Sequence, residues 1–355
     1  MSHTISSDAL TRKVAALFEK CGSTASEAQQ VAANLVLANL SGHDSHGVGM
    51  AARYVDAVLE GNLQPNATVK IQTDHGMMLG LDGCNGYGQT VGVQAMELAF
   101  ERVAQHGCCI FSLADAHHLG RIGHYAEMAV ERGFISLHFV SVWSRALVAP
   151  FGGSDARFGT NPCCIGIPLG WGENTREPFV LDFATSRVAQ GKMRVAHNEG
   201  RLAEPGTLID EHGHPTLNPG VVVVPQSNGK TGALLPFGEH KGFGMAVACE
   251  LLAGALSGGG TWHHTHDGRR AVINNMLTIV VDPARLGHQA FFAQEALDFI
   301  DWMRQSPAAP GTEGMMLAGE PERLARAKRL RDGIVIDDAS WKELQDCESK
   351  LGLAG

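Results

Sequence analysis

The chain has 355 residues, 44% of them hydrophobic and 18% charged, so it can bury one large core or two modest ones. A formal net charge of −9 argues against nucleic acid or an anionic membrane surface as its main partner. No apolar run approaches the roughly 18 residues of a spanning helix, and the first residues carry no basic-then-apolar signal segment.

The eight cysteines indicate reduced thiols rather than a metal site or a disulfide framework. Two pairs are adjacent, Cys108 with Cys109 and Cys163 with Cys164, and none lies in a C-x-x-C spacing. That pattern is typical of buried thiols in a reducing compartment, so we expect a cytoplasmic protein.

The first third of the chain is predicted to be helical. Leu10, Val14, Leu17 and Phe18 recur on one face of a 3.6-residue period, and Gly22 follows as a stop. Thr24 and Glu27 have the spacing of a capping box before a second apolar helix that ends near Gly42.

A loop that is rich in proton-handling groups follows the second predicted helix. Residues 43–47 read HDSHG, and Met50, Tyr54 and Val58 then begin a third helical stripe. The sequence therefore places two histidines, an acid and a serine in a helix-to-helix loop. For Asp44 we expect a cap on the following helix in preference to a contact that fixes a histidine tautomer.

The centre of the chain has the texture of a sheet. A hairpin is expected around residues 68–83, and short apolar runs indicate further strands at CCIFSLA, FISLHFVSV, CCIGIP, PFVLDFA, GVVVV and NNMLTIVVDP. Residues 245–256 are almost wholly apolar and predict a buried helix, whereas the basic run at 323–331 predicts a helix with a solvated charged face.

These elements predict an α/β (α+β) protein. A mixed-sheet domain covers residues 76–286, and residues 1–75 and 287–355 form a helical domain from both chain ends.

The usual dinucleotide fingerprint is absent. The nearest match, Gly86-Tyr-Gly88-Gln-Thr-Val-Gly92, has one residue too many, and no clear acid follows a second strand about 20 residues later. A Rossmann fold is therefore not expected, and a bound nucleotide would be held in another way.

A second candidate anion site is the start of the apolar helix at 240. His240, Lys241, Gly242 and Gly244 lie in its first turn, where free N–H groups and the helix dipole favour an anion. The alternative is a helix start that packs tightly against the sheet, and the sequence leaves both open.

Polar side chains follow the predicted strand at 108–114. His117, His118 and Arg121 lie at its end, where open α/β sheets place their ligands. A histidine exchanges a proton near neutral pH, and an arginine grips a carboxylate with two hydrogen bonds. The histidine-rich runs, including 263–266, lack the His-x-x-x-His spacing of a zinc helix, so we expect no metal.

Seven motifs between residues 42 and 323 resemble one known family. In order they are GHDSHG, HHLGRIGHYAE, APFGGSDARFGTNP, LDFATSRVAQGK, EHKGFGMAVACELLAGALSGG, NNMLTIVVDP and AGEPER. Together they resemble the malate/L-lactate dehydrogenase-like family of NAD(P)-dependent 2-hydroxy acid oxidoreductases. The resemblance covers nearly the whole chain and implies a non-Rossmann cofactor domain, a homodimer and a small 2-oxo or 2-hydroxy acid as substrate.

The resemblance also assigns site residues. The catalytic acid/base falls on His118, and His46 with Ser45 falls beside the nicotinamide of NAD or NADP and the substrate. The cofactor contacts fall on His46; Gly120, Arg121 and Ile122; Val180, Leu181, Asp182, Phe183 and Ala184; His240 and Lys241; Asn274 and Asn275; and Gly319, Glu320, Pro321 and Glu322.

One position departs from the family pattern. Many members read Ser-His-Gly-x-x-Arg, with the arginine thought to hold the substrate carboxylate, and this chain has Met50 there, with Tyr54 four residues later. The carboxylate anchor must then be another group, with Arg121, Arg53 and Arg145 as candidates. A methionine wall is apolar and adaptable, which suits a bulky or aromatic substrate side chain.

The alternatives within oxidoreductases are malate, lactate or a cyclic imine acid as substrate. From other classes, a metal-dependent hydrolase and a cofactor-binding protein without activity also fit the histidine-rich sequence. The sequence does not distinguish NAD from NADP. It shows no decisive acid for the ribose 2′-hydroxyl of NAD and no clear basic pocket for the 2′-phosphate of NADP.

Overall fold

A computed structural model describes residues 2–171, 176–263 and 271–353. The strands are β1 Ser2–Ile5, β2 Lys70–Asp74, β3 Met78–Asp82, β4 Cys108–His117, β5 Ile135–Trp143, β6 Cys163–Ile167, β7 Phe179–Phe183, β8 Leu208–Ile209, β9 Pro215–Thr216, β10 Ala233–Leu234, β11 Ile273–Val281 and β12 Ile334–Asp337. The α-helices are α1 Ser7–Lys20, α2 Ala25–Leu40, α3 Ala51–Leu59, α4 Gly88–His106, α5 Gly123–Glu131, α6 Gln190–Asn198, α7 His240–Cys249, α8 Gln289–Arg304, α9 Glu320–Asp332 and α10 Asp338–Lys350.

A seven-stranded mixed sheet forms the centre, in the order β2-β3-β4-β11-β5-β6-β7. Among its described strand pairs only β3 and β4 are parallel, and β11 runs antiparallel to both β4 and β5. This is not the parallel, doubly wound sheet of a Rossmann fold, so the predicted mixed-sheet α/β class is confirmed. The predicted hairpin is β2–β3, which begins before residue 76 and belongs to the sheet.

Both chain ends build one helical unit, as expected. β1 pairs antiparallel with β12, and their register joins Ile5 to Ile334. Leu10 and Phe18 of α1 share a buried cluster with Ile334 and with Leu344 of α10. This unit presents α3 and the HDSHG loop to the sheet domain.

The start of α2 confirms half of the predicted capping box. Thr24 Oγ1 accepts a hydrogen bond from Glu27 N at 3.3 Å. The Glu27 carboxylate, however, accepts from Asn66 N at 2.7 Å, and Asn66 Oδ1 accepts from Thr24 N at 2.7 Å. A loop from beyond α3 therefore completes the cap.

The GVVVV segment is not a strand. Pro219–Val222 forms a 3₁₀ turn, because Asn218 Oδ1 caps Gly220 N at 2.9 Å and Pro219 brings no N–H to a ladder. Its valines pack into a small second cluster with β8, next to the three-stranded sheet β10-β8-β9.

The apolar segment at 245–256 is buried on one side only, so the prediction of a fully buried helix is wrong. α7 continues as π-helical turns over Glu250–Ala255, and Ala253 packs inward at 0% exposure. Leu251 and Leu256 are 56% and 65% exposed. An almost wholly apolar sequence shows that most sides of the helix tolerate burial, but it does not show that a neighbour covers each side.

The described helices include none that is both long and apolar enough to cross a membrane.

Buried neutral histidines should make the protein sensitive to acid. The ring of His138 lies between Thr278 Oγ1 at 2.9 Å and Ser136 Oγ at 3.0 Å, and burial lowers its pKa from 6.5 to about 3. The unfolded chain binds this proton below pH 6.5 and the folded chain does not, so stability is complete above pH 6.5 and falls as pH falls towards 3.

We expect the free energy of unfolding to fall between pH 6 and pH 4 more steeply in the native protein than in His138→Gln, by about 1.4 kcal/mol per pH unit. Urea unfolding at several pH values measures this. The exposed His212→Gln should follow the native curve. Parallel curves for His138→Gln and the native protein would contradict the prediction.

Candidate active site

The HDSHG loop joins α2 to α3 as two 3₁₀ turns, Asp44–His46 and Val48–Met50. Asn39, in the last turn of α2, clips it in place, because its Oδ1 accepts from Val48 N at 2.8 Å and its Nδ2 donates to Asp44 at 2.7 Å. A Cβ at Gly47 would lie 2.2 Å from Asn39 Oδ1, so the close approach requires glycine. The predicted helix-to-helix loop is confirmed.

Among the described residues, the Asp44 side chain neither caps α3 nor forms a hydrogen bond with a histidine, so the expectation of a helix cap is wrong. α3 begins after Met50 without a side-chain cap. The Asp44 carboxylate instead takes two hydrogen bonds from Arg329, at 2.7 and 3.0 Å. Sequence spacing missed this pair because the partner lies 285 residues away, on α9.

The basic run of α9 is a solvated face only in part: Arg331 is 72% exposed, whereas three other arginines contact the protein. Arg326 donates to Ser41 Oγ at 2.7 Å and pairs with Glu127, while Arg323 donates to Pro178 O at 3.0 Å. With Arg329, these arginines recur every third residue and form one face of α9. That face ties the HDSHG loop, α5 and the approach to β7 together.

His46 and His118 lie side by side, one from each part of the molecule. Their ring centroids are 5.6 Å apart with an interplanar angle of 18°. Ser45 Oγ lies 3.0 Å from His46 Nδ1, and Ser45 packs against Gly191, where a Cβ would approach to 2.5 Å. Burial lowers the pKa of His46 to about 4, helped by the nearby positive charges of His43 and Arg121, so this ring is neutral at pH 7.

A buried chain of hydrogen bonds orients His118. Gln89 Nε2 donates to the Tyr54 hydroxyl at 2.8 Å, and that hydroxyl lies 2.6 Å from His118 Nδ1. The tyrosine oxygen accepts from Gln89, so its proton points to Nδ1, and in the neutral ring Nε2 then carries the proton. Among the described residues, no hydrogen bond reaches His118 Nε2.

Both ionisable side chains of this hydrogen-bonded chain, Tyr54 and His118, are held in their neutral forms. Burial raises the pKa of Tyr54, and it lowers the pKa of His118 well below its usual value, with further lowering from His46, His117 and Arg53. A protonated His118 therefore requires an added negative charge in the site.

Gln89 is the site residue that the sequence did not identify. It lies inside the failed fingerprint, one residue after Gly88, at the start of α4. Gly88 packs so closely on the backbone of His117 and His118 that a Cβ would lie 2.5 and 2.4 Å from their carbonyl oxygens. Glycine at position 88 is therefore explained by close packing against the turn after β4, which carries His118.

The conservative substitution Gln89→Glu is expected to raise the pKa that governs activity, because a carboxylate beside Tyr54 favours the charged form of His118. Gln89→Leu, which removes the donor, should lower kcat roughly tenfold. Rate profiles against pH for both variants measure this. Gln72→Leu, on the exposed edge strand, is the control. An unchanged profile in Gln89→Glu would limit this residue to a structural role.

Three of the segments predicted to bind the cofactor converge. Gly123 N, next to Ile122, donates to Asp182 at 2.7 Å, and Val180 N donates to Ala318 O at 3.2 Å, beside Gly319. Glu322 pairs with His43 of the HDSHG loop at 2.9 Å. The turn after β4, strand β7 and the start of α9 therefore border one region next to His46.

The charges in this region are largely balanced by protein groups. Arg121 pairs with Glu127, and the Asp182 pKa is raised by burial, against lowering by Arg121 and by the Gly123 N–H. The pKa of Glu322 is lowered, mainly by its hydrogen bond to His43. The Glu320 carboxylate accepts from Leu317 N at 2.8 Å.

Asn274 and Asn275 use their side chains inside the protein. Asn274 Oδ1 accepts from Leu119 N at 2.8 Å, and Asn275 Oδ1 accepts from Asp115 N at 2.9 Å. They hold the turn after β4 at the register shift between β4 and β11. Direct contact of these residues with the cofactor stays a prediction.

The start of α7 lies near the end of β7. Phe237 N donates to Thr185 O at 3.0 Å, and the Phe237 ring meets Phe183 edge-on at 5.6 Å. His240 and Lys241 are exposed there. Gly242 is explained by packing, since a Cβ would come 2.2 Å from Phe237 O, and the anion role of this turn stays a prediction.

No group of three or more His, Cys, Asp or Glu side chains is placed to hold a metal within residues 2–171, 176–263 and 271–353. Most of the histidine-rich run at 263–266 lies outside those residues.

A cavity of about 430 Å³ opens beside the turn after β4, between the helical unit and the sheet. Its polar wall includes Arg53, Asp56, Glu60, His117, Arg145 and Arg194, and its apolar wall Leu147, Val223, Ala271 and Val272. Met50 packs against the core of the helical unit and is not among the lining residues.

Comparisons with known proteins agree with this geometry. The profile of the malate/L-lactate dehydrogenase family matches residues 5–345. A hydroxycarboxylate dehydrogenase B from Escherichia coli is 41% identical, with 99% of this chain and 95% of that protein covered. An L-lactate dehydrogenase from Cupriavidus necator is 39% identical, with 92% of each covered.

A solved structure described as a putative malate/lactate dehydrogenase from E. coli superposes with a TM-score of 0.92 at 41% identity, covering 99% of this chain and 96% of that one. Fold, site and relatives thus define an oxidoreductase that acts on 2-hydroxy acids. The chain belongs to the malate/L-lactate dehydrogenase family, and this family implies a nicotinamide cofactor.

Proposed function

We propose that the protein transfers hydride reversibly between C4 of NADH or NADPH and C2 of a 2-oxo acid with a bulky or aromatic side chain. The observation that carries this proposal is the Gln89–Tyr54–His118 chain, in which His118 Nε2 lies beside the His46 ring without a hydrogen-bond partner from the described residues. The 430 Å³ cavity next to it, with one apolar wall, supports a bulky substrate.

The residues present fit a nicotinamide and a carbonyl substrate. His118 Nε2 has no hydrogen-bond partner among the described residues, and the predicted cofactor segments border the same region. The nicotinamide supplies the hydride when bound, and the protein supplies position and a proton.

His118 acts as the acid in reduction. Negative charge from the substrate carboxylate favours the imidazolium form of His118 in the complex. Nε2–H then gives its proton to the ketone oxygen as C2 accepts hydride, and the ring keeps the proton on Nδ1. The oxidation of a 2-hydroxy acid runs the same transfer backwards, with Nε2 as the base.

Gln89 and Tyr54 accommodate both proton positions. When Nδ1 carries a proton it donates to the tyrosine oxygen, so the tyrosine proton needs another acceptor. Gln89 Oε1 is buried and has no hydrogen-bond partner among the residues described, so it can accept that proton once the amide turns over. Ser45 and the neutral His46 orient the nicotinamide and the carbonyl group.

Two further properties belong to this proposal. A homodimer would cover apolar residues that one chain leaves exposed, including Phe291, Phe299 and Trp302 of α8, which are 54–68% exposed. A cytoplasmic location suits the eight free cysteines.

The test is oxidation of NADH and of NADPH, followed by loss of reduced-nicotinamide absorbance, with phenylpyruvate, pyruvate, oxaloacetate and a cyclic imine acid. Fast turnover of phenylpyruvate supports the proposal and identifies the preferred cofactor. Preference for oxaloacetate or pyruvate makes it a malate or lactate dehydrogenase, and preference for the imine makes it an imine reductase. Activity that survives a chelator would exclude the metal-dependent hydrolase.

A further inference from the structure

The cavity beside the turn after β4 is rich in positive charge. Arg53, Arg145 and Arg194 reach it from three different elements, namely α3, the loop after β5, and α6. Of its two acids, Asp56 pairs with Lys350 at 2.6 Å, and Glu60 accepts a hydrogen bond from Asn62 at 3.3 Å.

Two of these arginines keep donors for a ligand. Among the described residues, Arg53 has no hydrogen-bond or ion-pair partner. Arg145 donates through Nη2 to Val222 O at 2.9 Å, which fixes its position, and its other N–H groups make no hydrogen bond to the described residues. Partial burial and the charge of Arg53 lower the pKa of Arg145, so the two guanidinium groups lie close enough to repel each other.

The third candidate anchor, Arg121, is already neutralised. Its side chain is 3% exposed and pairs with Glu127, which also pairs with Arg326. To bind a substrate carboxylate, Arg121 would have to give up its ion pair with Glu127, which would then keep only its pair with Arg326.

His117 gives independent support for a ligand in the cavity. It is 1% exposed and lines the cavity, and both of its ring nitrogens are buried without a hydrogen-bond partner in the part of the chain that the structure describes. A buried polar group without a partner is costly, and a polar ligand atom would satisfy it.

We propose that Arg53 and Arg145 bind the carboxylate of the 2-oxo acid in this cavity. Arg53 lies three residues after Met50 and directly before Tyr54, so one helix carries both the carboxylate anchor and the tyrosine that orients His118. The anchor has thus moved about one helical turn from the position occupied by arginine in many family members. This inference rests on the proposed function.

The test compares a 2-oxo acid with its uncharged methyl ester in the native protein, Arg53→Ala, Arg145→Ala and Arg53→Lys. We expect Arg53→Ala and Arg145→Ala to lower kcat/KM for the acid about 30-fold or more, mainly through KM, and to leave the ester unchanged. Arg53→Lys should keep part of the activity, because lysine keeps the positive charge but cannot form the paired hydrogen bonds of a guanidinium group. Arg12→Ala, on the exposed face of α1, is the matched control.

Equal losses for acid and ester, or no loss for the acid, would overturn the assignment. A second readout needs no turnover: binding of oxamate, a carboxylate that resists reduction, measured by calorimetry with cofactor present. Its loss in Arg53→Ala supports the site even if the native protein reduces no 2-oxo acid, a result that would overturn the proposed function alone. Oxamate binding that is equal in Arg53→Ala, Arg145→Ala and the native protein overturns the site.

Discussion

The variant His118→Ala is expected to lose turnover by about 10²- to 10⁴-fold, the range that a positioned acid/base contributes. Cofactor affinity should change little, because the segments predicted to bind it, including Asp182 and Glu322, are held by contacts that do not involve the His118 ring. Steady-state kinetics measure the first quantity, and titration with reduced nicotinamide, followed by fluorescence, measures the second.

A histidine outside the site is the control for this experiment. His212 is 62% exposed in a loop, and His212→Ala should match the native enzyme in both measurements. If cofactor binding in His118→Ala fell in parallel with turnover, the acid/base role would be wrong, and the histidine would be part of the cofactor site.

A single added methyl group at Gly88 should damage both folding and catalysis. In Gly88→Ala the new Cβ would lie 2.4 Å from His118 O and 2.5 Å from Leu119 Cα, and backbone atoms cannot rotate away. The Tyr125 hydroxyl also bonds to the Gly88 and Leu119 carbonyls, both at 2.9 Å, so the two segments cannot separate freely.

We expect the free energy of unfolding to fall by about 1–3 kcal/mol, as for other overpacked sites. Turnover should fall by up to about 100-fold, because displacement of His118 by about 1 Å spoils its alignment. Urea unfolding and kcat measure the two effects. Gly244→Ala, in another helix with open space around the site, should not lower stability. If Gly88→Ala kept the free energy of unfolding and the kcat of the native protein, the backbone would have moved to make room for the methyl group, and the prediction would be wrong.

Local signals predicted much of the fold. The stripe from Leu10 to Phe18, the Thr24 cap and the strand at NNMLTIVVDP each depend on neighbours within a few residues. The Pro219–Val222 turn was not predicted, because a run of valines favours a strand unless the proline before it removes a backbone donor from the strand pairing. The exposed side of α7 was also not predicted. The burial of a side chain depends on which element packs against it, and composition does not show that.

The class of this protein, the loop that carries His46 and the turn that carries His118 were predictable from the sequence. Ordered motifs and helical periodicity are local properties, so they can be recognised without coordinates. Which groups meet depends on the fold: Gln89 with Tyr54 and His118, Asp44 with Arg329, and Arg53 with Arg145 in one cavity. These contacts join residues that lie tens to hundreds of positions apart, and their energies arise only when packing brings the partners together.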